Sequence, residues 1–290
     1  NILLKNSESK SEIIEIDKIA KIKKKQVNIG IRLNPNTDAK TLSQISTGKK
    51  DNKFGVNDKT FFELVRYCEN SKNINLRCLS VHIGSQILDH RPYEKMLRIL
   101  SKIISKVNHK FEFIDLGGGM GISYNNSDKK LNYKRYNIAI KKFLKNNKSK
   151  IIFEPGRSII GDTGTLISKV IYIKKSERKN FVIINAAMND FMRPALYNAK
   201  HEIIPVLKSK KRINGDVEFV GPICESSDTF LKYKNFTSVS EGSLVAITNV
   251  GAYGSTLSSN YNTRPLAAEI IIKKGQIKVI RKRQKISEII

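Results

Sequence analysis

Three polar segments in the first half of the chain each follow a β-branched apolar stretch, about 30 to 40 residues apart. They are His82-Ile-Gly-Ser-Gln86, Asp115-Leu-Gly-Gly-Gly119 and Glu154-Pro-Gly-Arg157. In a parallel sheet or barrel of alternating strands and helices, the carboxyl ends of the strands converge on one pocket. The spacing therefore predicts a single active site formed by these segments.

The residue types indicate binding of an anion. Gly117, Gly118 and Gly119 permit backbone amides to approach a phosphate closely, although a simple turn is the other interpretation. The segment lacks the Gly-x-Gly-x-x-Gly spacing, which argues against a dinucleotide fold. Arg157 can bind a phosphate or carboxylate with two hydrogen bonds, or form an ion pair with Glu154 at the rim of the barrel.

Two further pairs leave alternatives open. His82 and Ser85 suit a ring that stacks on a ligand and a hydroxyl that faces a phosphate, or equally a core histidine and a turn serine. Arg193 and Tyr197 share a face if Pro194 opens a short helix, so both can reach one carboxylate.

A thiol lies among carboxylates in the second half of the chain. The segment Cys224-Glu225-Ser-Ser-Asp228 follows an apolar strand and a Gly-Pro turn, which predicts an exposed loop. A cysteine flanked by charged residues is a better candidate for acid–base chemistry than a cysteine in an apolar core. An aromatic loop follows at residues 251–254 and 260–265.

The elements that position these residues change in kind along the chain. Alternating patterns predict strands over 27–34, 79–84, 111–116 and 150–153 and helices over 58–70, 93–107 and 133–144. This order predicts an α/β fold, and polar strand ends favour a barrel with about four of its eight strands. Strands over 165–174, 181–186, 217–221, 243–250, 267–273 and 276–281 predict a β-rich second domain, so residues 1–162 and 163–290 form the two predicted domains.

Composition limits the class of protein. The 290 residues are 40% apolar, carry a formal charge of +27 and include Cys68, Cys78 and Cys224, whose spacing matches no metal site. The lysines are scattered and not interleaved with aromatic residues, which argues against a nucleic-acid partner. Without an apolar run of membrane length or a leader, we expect a cytoplasmic protein with reduced thiols and without a metal.

Taken in order, the motifs resemble the diaminopimelate decarboxylase family of fold-type III pyridoxal-phosphate decarboxylases. The resemblance runs from about Val27 to the C-terminus and rests on the three strand-end segments, Arg193-Pro-Ala-Leu-Tyr197, Cys224-Glu-Ser-Ser-Asp228, Gly251-Ala-Tyr253 and Tyr261-Asn-Thr-Arg264, with 34–35, 45–48 and 52–55 in support. It implies a partial (β/α) barrel of the alanine-racemase type followed by a β-rich C-terminal domain.

The resemblance also implies residue roles. Catalytic roles fall to Cys224 as proton donor, Glu154 at the pyridine nitrogen and His82 on the ring face. The implied binding residues for pyridoxal 5′-phosphate are His82, Ser85, Gly117, Gly118, Gly119, Glu154, Gly156, Arg157 and Tyr261. Those for the substrate are Arg157, Arg193, Tyr197, Glu225 and Tyr261.

The implied reaction is decarboxylation of meso-2,6-diaminopimelate to L-lysine and carbon dioxide. The family implies a homodimer with shared active sites, in which Cys224 and Glu225 come from the second copy. One alternative is a related decarboxylase acting on another basic amino acid or a carboxylated polyamine. The other is a non-catalytic basic remnant or a nucleic-acid-binding protein.

One family motif has no counterpart here. A Tyr-x-x-Lys-Ala-Asn type segment carries the Schiff-base lysine of the family, and the chain, which begins at Asn1, has no such segment. We therefore expect a C-terminal fragment that is inactive alone. We also expect an incomplete barrel with exposed sheet edges to be prone to aggregation.

Overall fold

Two compact units make up the part of the chain that the computed structural model describes, residues 2–39, 47–48, 52–125, 129–207 and 212–290. The first lies within Asn1–Ser123 and Lys129–Ser158, and the second within Tyr124–Asp128 and Ile159–Ile290. The units divide after Ser158, and the predicted domain boundary after residue 162 stays a prediction.

The first unit alternates strands with helices. Its elements are β1 (Lys5–Ser7), α1 (Lys10–Ile22), β2 (Val27–Arg32), α2 (Asp58–Asn70), β3 (Ile74–Ser80), α3 (Arg91–Ile104), β4 (Phe113–Asp115), α4 (Tyr133–Leu144) and β5 (Lys150–Ile152). The strands form one parallel sheet in the order β1-β2-β3-β4-β5. This is the predicted partial (β/α) barrel, with the carboxyl ends of its strands on one side.

Helices α2 and α3 cover the sheet with regular apolar stripes. The Asn57 side chain caps α2 by accepting a hydrogen bond from the backbone N–H of Thr60. The buried positions of the two helices recur at helical spacing: Phe61, Leu64, Val65 and Cys68 on α2, and Tyr93, Met96, Leu97 and Leu100 on α3. These residues join one continuous core with the strands.

Three features of the first unit differ from the sequence-based expectations. The described part of this unit contains five strands rather than about four, since the sequence patterns predicted neither β1 nor α1. Helix α1 buries little more than Ile13 and Ala20 among charged residues, so its apolar stripe is narrow. Strand β3 spans Ile74–Ser80 rather than the predicted 79–84. Arg77, which is paired with Glu112, interrupts the apolar pattern of the sequence and so concealed the first part of the strand.

The second unit is rich in strands, as predicted. After the linking helix α5 (Arg157–Ile160), it contains β6 (Leu166–Lys175), β7 (Lys179–Ile184), α6 (Arg193–Tyr197), β8 (Ile203–Pro205), β9 (Arg212–Ile213), β10 (Asp216–Val220), β11 (Thr229–Tyr233), β12 (Phe236–Thr237), β13 (Leu244–Ile247), β14 (Glu269–Lys273) and β15 (Gln276–Arg281). Six strands form a mixed sheet in the order β11-β10-β7-β6-β13-β8, and β9/β12 and β14/β15 form two ribbons. Strands β8, β9, β11 and β12 were not predicted. Three of them have only two or three residues, which is too short for an alternating pattern of apolar and polar residues to be recognised.

Among the helices that the structure describes, none combines the length and apolar character needed to cross a bilayer.

Candidate functional site

A buried carboxylate organises the strand ends of the first unit. Asp115, the last residue of β4, is 1% exposed. Its Oδ1 accepts a hydrogen bond from the backbone N–H of Gly117 at 2.9 Å, and its Oδ2 accepts from Asn6 Nδ2 at 2.8 Å and from Ser80 Oγ at 3.2 Å. The donors come from β1, from β3 and from the turn after β4. Asp115 therefore ties three strand ends together around one charge that is supplied with donors.

Glu154 follows β5 and faces Asp115. Its side chain is exposed, in contrast to that of Asp115. Partial burial, the negative charge of Asp115 and a hydrogen bond between the two carboxyl groups raise the pKa of Glu154, and the guanidinium of Arg32 acts in the opposite direction. The net shift is upward, so Glu154 holds a proton at a higher pH than an isolated glutamate does.

His82 lies two residues beyond the end of β3 and contacts the glycine turn. Its Nδ1 accepts a hydrogen bond from the backbone N–H of Gly118 at 3.2 Å, which leaves the proton of a neutral ring on Nε2. Burial and the positive charge of Arg32 lower the pKa of His82, while Asp115 and Glu8 oppose them. The ring is therefore neutral at pH 7, which suits stacking on an aromatic ligand.

The glycine turn is shaped by close packing. A Cβ on Gly118 would lie 2.2 Å from the carbonyl oxygen of Glu154, and one on Gly119 would lie 2.2 Å from that of Gly84. Gly117 and Gly119 also have φ values of 65° and 86°, which favour glycine. Because Asp115 and His82 take the amides of Gly117 and Gly118, these glycines serve close approach of strand ends in this structure.

Arg157 opens α5 and lies beside Ser85. Its Nη2 donates to Ser85 Oγ at 3.0 Å, and the side chain is only 6% exposed. The neighbouring Gly156 has open space where a Cβ would stand, with no atom of a residue other than its two chain neighbours within 4 Å. A guanidinium, a hydroxyl and an adjoining open glycine are a donor set that suits a phosphate group.

The first unit therefore fits a phosphorylated pyridine. Arg157 and Ser85 supply donors for a phosphate, the neutral ring of His82 supplies a stacking surface, and Glu154 supplies a carboxyl group that can face a ring nitrogen. Within the described residues, no group of three or more metal-ligating side chains stands together.

In the second unit, α6 positions Arg193 as the sequence predicted. Arg193 and Tyr197 are the first and last residues of this helix, which has Pro194 in its first turn. The guanidinium carbon of Arg193 lies 5.2 Å from the ring centroid of Tyr124, 5.9 Å from that of Tyr253 and 6.0 Å from that of Tyr197. Arg193 is 6% exposed, so three tyrosine rings surround a nearly buried cation.

Asp228 holds the loop that carries Cys224 and Glu225. Its buried carboxylate accepts hydrogen bonds from the backbone N–H groups of Met188 at 2.7 Å and Ile223 at 2.8 Å. Cys224 and Glu225 themselves are exposed on the loop. This anchoring places the predicted proton donor and the predicted ammonium ligand on one supported loop.

Tyr261 contacts Glu225. The Tyr261 hydroxyl donates to Glu225 Oε1, and Ser227 Oγ donates to Oε2 at 3.1 Å. The hydrogen bond to the carboxylate and its charge raise the pKa of Tyr261. Two residues that the resemblance assigned to ligands are thus paired with each other in this structure.

Within each unit, the structure brings most of the predicted site residues into contact. In the first unit, contacts link His82 to Gly118 and Ser85 to Arg157. Of the motif at 45–48, only Thr47 and Gly48 lie within the described residues, and Thr47 Oγ1 donates to the backbone carbonyl of His82 at 2.8 Å.

Two residues of these clusters had no predicted role. Asp115 stood within a recognised motif, where a polar residue directly at the end of an apolar strand was the available signal. His201, which contacts Arg193, had no such signal, because nothing in its local sequence distinguishes it from a surface histidine.

The fold and the first-unit residues agree with a comparison of the chain with known families, which assigns it to the pyridoxal-dependent decarboxylases. The family profile described as the pyridoxal binding domain of the pyridoxal-dependent decarboxylases matches residues 5–161. The chain is 43% identical over 295 residues to the diaminopimelate decarboxylase of Helicobacter pylori, and 40% identical over 287 residues to that of Aquifex aeolicus. The alignments cover 100% and 98% of this chain and 72% and 68% of the relatives.

The solved structures agree with this assignment. The crystal structure of the Helicobacter pylori diaminopimelate decarboxylase complexed with L-lysine superimposes with a TM-score of 0.94 at 42% identity, covering 99% of this chain and 72% of that chain. The chain belongs to the diaminopimelate decarboxylase family. Its cofactor is pyridoxal 5′-phosphate.

Proposed function

We propose that this protein decarboxylates meso-2,6-diaminopimelate to L-lysine and carbon dioxide. One observation carries the proposal: in a member of this family, the Arg157–Ser85 pair, the His82–Gly118 pair and the Glu154 carboxyl lie at the carboxyl ends of neighbouring strands. The family relation supports the substrate, and the strand-end residues support the cofactor.

The residues of the first unit have separate tasks in this proposal. Arg157 and Ser85 would bind the cofactor phosphate, His82 would stack on the ring, and Glu154 would hold a proton at the pyridine nitrogen. The cofactor supplies an electron sink for the pair left on the α-carbon when carbon dioxide departs. A positively charged ring nitrogen beside Glu154 would favour the ionised carboxyl and so oppose the upward pKa shift that burial and Asp115 cause.

The residues of the second unit would recognise and protonate the substrate. The nearly buried guanidinium of Arg193 suits a carboxylate, and the carboxylate of Glu225 suits the distal ammonium. Cys224, exposed on the loop held by Asp228, would give the proton to the α-carbon. Tyr261 would orient Glu225 through its hydroxyl.

We also propose a cytoplasmic homodimer with shared active sites, with Cys224 and Glu225 contributed by the second copy. The family relation supports this assembly. Analytical ultracentrifugation of the intact protein measures it, and a monomer at micromolar concentration would contradict it. A mixture of inactive Glu154→Gln and Cys224→Ser proteins is expected to regain part of the activity, because a mixed dimer holds one intact site.

The direct test is substrate specificity. This chain, combined with a segment that carries the Schiff-base lysine of the family and supplied with pyridoxal 5′-phosphate, is assayed for carbon dioxide release. The substrates are meso-2,6-diaminopimelate, L-lysine, L-ornithine, L-arginine and a carboxylated polyamine. Glu225→Gln is expected to raise KM for diaminopimelate by about tenfold or more, because the charge that faces the ammonium is lost. Glu177→Gln, a change at another exposed glutamate, is the matched control and is expected to have no effect.

Release of carbon dioxide from diaminopimelate alone supports the proposal. Release from one of the other amines instead overturns the substrate and indicates a related decarboxylase. No release from any substrate overturns the proposed activity.

A further inference from the structure

A buried histidine is bonded to the Arg193 side chain. His201 is 2% exposed and Arg193 is 6% exposed. Arg193 Nε donates a hydrogen bond to His201 Nε2 at 3.2 Å, and His201 Nδ1 lies 3.0 Å from the backbone carbonyl oxygen of Thr248. The imidazole therefore bridges α6 and the residue that follows β13.

The partners assign the tautomer of His201. A guanidinium only donates hydrogen bonds, so His201 Nε2 must be an acceptor without a proton. A carbonyl oxygen only accepts, so the proton lies on Nδ1 and is donated to Thr248. A protonated ring would set its own N–H against that of Arg193. The fold thus requires a neutral ring protonated on Nδ1.

The ring of His201 has little freedom to turn. Tyr124 packs edge-on at a centroid distance of 4.7 Å, and Phe191 packs at 4.6 Å with an interplanar angle of 85°. At the end of α6, Asn198 adopts a left-handed conformation with φ of 51°, and the chain turns back so that His201 meets Arg193. A fixed acceptor at Nε constrains the plane of the guanidinium.

That plane determines how a guanidinium meets a carboxylate, because two parallel hydrogen bonds form only when the groups are coplanar. We propose that His201 is the positioning residue of Arg193, and that its Nδ1-protonated ring holds the guanidinium in the plane that takes the substrate carboxylate. The hydrogen bond between His201 and Arg193 is argued from the geometry alone, whereas binding of a substrate carboxylate by Arg193 rests on the proposed function.

Two variants separate the acceptor from the ring. His201→Phe keeps the aromatic packing and removes both hydrogen bonds, whereas His201→Gln replaces the ring with an amide whose oxygen can accept from Arg193 Nε. Tyr233→Phe is the matched control. It removes the hydroxyl that accepts from the backbone N–H of Ile203 at 2.8 Å in the same sheet and leaves Arg193 untouched.

The first measurement is ¹⁵N NMR of the protein without substrate. Long-range ¹H–¹⁵N spectra are expected to show His201 protonated on Nδ1 and unprotonated on Nε2. The Arg193 Nε–H signal, assigned with Arg193→Lys, is expected to exchange slowly with solvent. It should exchange faster by about tenfold or more in His201→Phe, recover in His201→Gln and stay unchanged in Tyr233→Phe. An Nε2-protonated ring, or an unaltered Arg193 signal in His201→Phe, would overturn the proposal whatever the protein's substrate.

The second measurement is turnover of meso-2,6-diaminopimelate by the intact holoenzyme. His201→Phe is expected to raise KM by about tenfold with a smaller change in kcat, and His201→Gln to return KM to within about threefold of the wild-type value. The NMR result could hold while neither His201→Phe nor Arg193→Lys alters KM. In that case Arg193 does not bind the substrate carboxylate, and this part of the proposed function is overturned. If only Arg193→Lys alters KM, the positioning role alone is overturned.

Discussion

Two carboxyl groups meet at the ends of β4 and β5, and they differ in how they are supplied with hydrogen-bond donors. Asp115 accepts hydrogen bonds from Asn6, Ser80 and the amide of Gly117 and is buried, whereas Glu154 is exposed and faces the Asp115 charge. Burial and the charge of Asp115 raise the pKa of Glu154. Glu154 is therefore suited to face a positively charged group, such as a protonated ring nitrogen.

A stability prediction follows from the raised pKa of Glu154. Its folded-state pKa lies above the unfolded value of 4.5, so the folded state binds more protons between these two values. The free energy of unfolding therefore falls as the pH rises through this window, and the charged carboxyl destabilises the fold at pH 7. Glu154→Gln is expected to raise Tm at pH 7 and to leave it unchanged at pH 4, as measured by thermal denaturation.

The matched control for this change is Glu63→Gln on the exposed face of α2, which is expected to leave Tm unchanged at both pH values. An equal or lower Tm for Glu154→Gln at pH 7 would contradict the account of the carboxyl pair.

The three cysteines are expected to differ in reactivity. Burial above all raises the pKa of Cys68 and that of Cys78 to about 12, and Cys224 is exposed. Because the thiolate is the reactive form, one thiol per chain should react rapidly with Ellman's reagent at pH 8, and three should react after denaturation. Cys224→Ser should abolish the fast phase. A fast phase that survives this change would show that the buried thiols are accessible.

At the scale of elements, the turn after β4 and the turn after β5 interlock. The backbone N–H of Glu154 donates to the carbonyl oxygen of Gly117 at 2.9 Å, and the missing side chain of Gly118 leaves room for the Glu154 carbonyl. Beside them, Gly156 faces open space. Two glycines of the predicted cofactor site therefore have different physical reasons to be glycine.

A matched pair of substitutions separates these reasons. Gly118→Ala is expected to destabilise the fold by about 1–3 kcal/mol, because the Cβ would lie 2.2 Å from a backbone oxygen. Gly156→Ala should change the free energy of unfolding by less than about 0.5 kcal/mol, since its Cβ meets no atom. Denaturant unfolding measures both. If Gly156→Ala proves the more destabilising change, the described packing of the turn is wrong.

Elements with strong local signals were predictable from the sequence. Helices α2 and α4 match their predicted bounds, because each combines apolar helical spacing with an asparagine cap, Asn57 or Asn132. Strand β3 was displaced because Arg77 breaks its apolar run. The short strands of the second unit form through pairing with other strands of the sheet, and their sequences show no alternation of apolar and polar residues that would predict them.

The site residues can likewise be divided into those with a local sequence signal and those without one. Its strand-end motifs were visible as polar residues that follow apolar runs, and the family resemblance then implied their roles. The contacts that support them were not visible: Asn6 reaches Asp115 over 109 residues of sequence, and His201 reaches Arg193 only because α6 ends in a left-handed turn. Such pairs arise from the three-dimensional arrangement and leave no spacing rule in the chain.

At the scale of the whole molecule, one surface stands out for its apolar character. The β14/β15 ribbon exposes 67% of Ile272 and 68% of Ile277, which are cross-strand partners, and its other isoleucines and valine are also largely exposed. An exposed apolar ribbon of this kind promotes association and binds hydrophobic dyes.

This ribbon gives a prediction for the chain in solution. Ile272→Lys combined with Ile277→Lys is expected to lower the fluorescence of bound 8-anilinonaphthalene-1-sulfonate and to reduce light scattering by aggregates. The control is Ile138→Lys, a change at a similarly exposed isoleucine on α4, which should have a smaller effect. Equal effects of the two proteins would show that the ribbon is not the dominant apolar surface.

We propose that the first unit holds the phosphate of a pyridoxal cofactor, and the most direct test compares two ligands that differ only in that group. Isothermal titration calorimetry of this chain measures the affinity for pyridoxine 5′-phosphate and for pyridoxine. We expect the phosphate ester to bind at least about tenfold more tightly, and Arg157→Ala to remove the difference, because Arg157 and Ser85 form the donor set. Equal affinity for the two ligands in the unaltered chain would contradict the account.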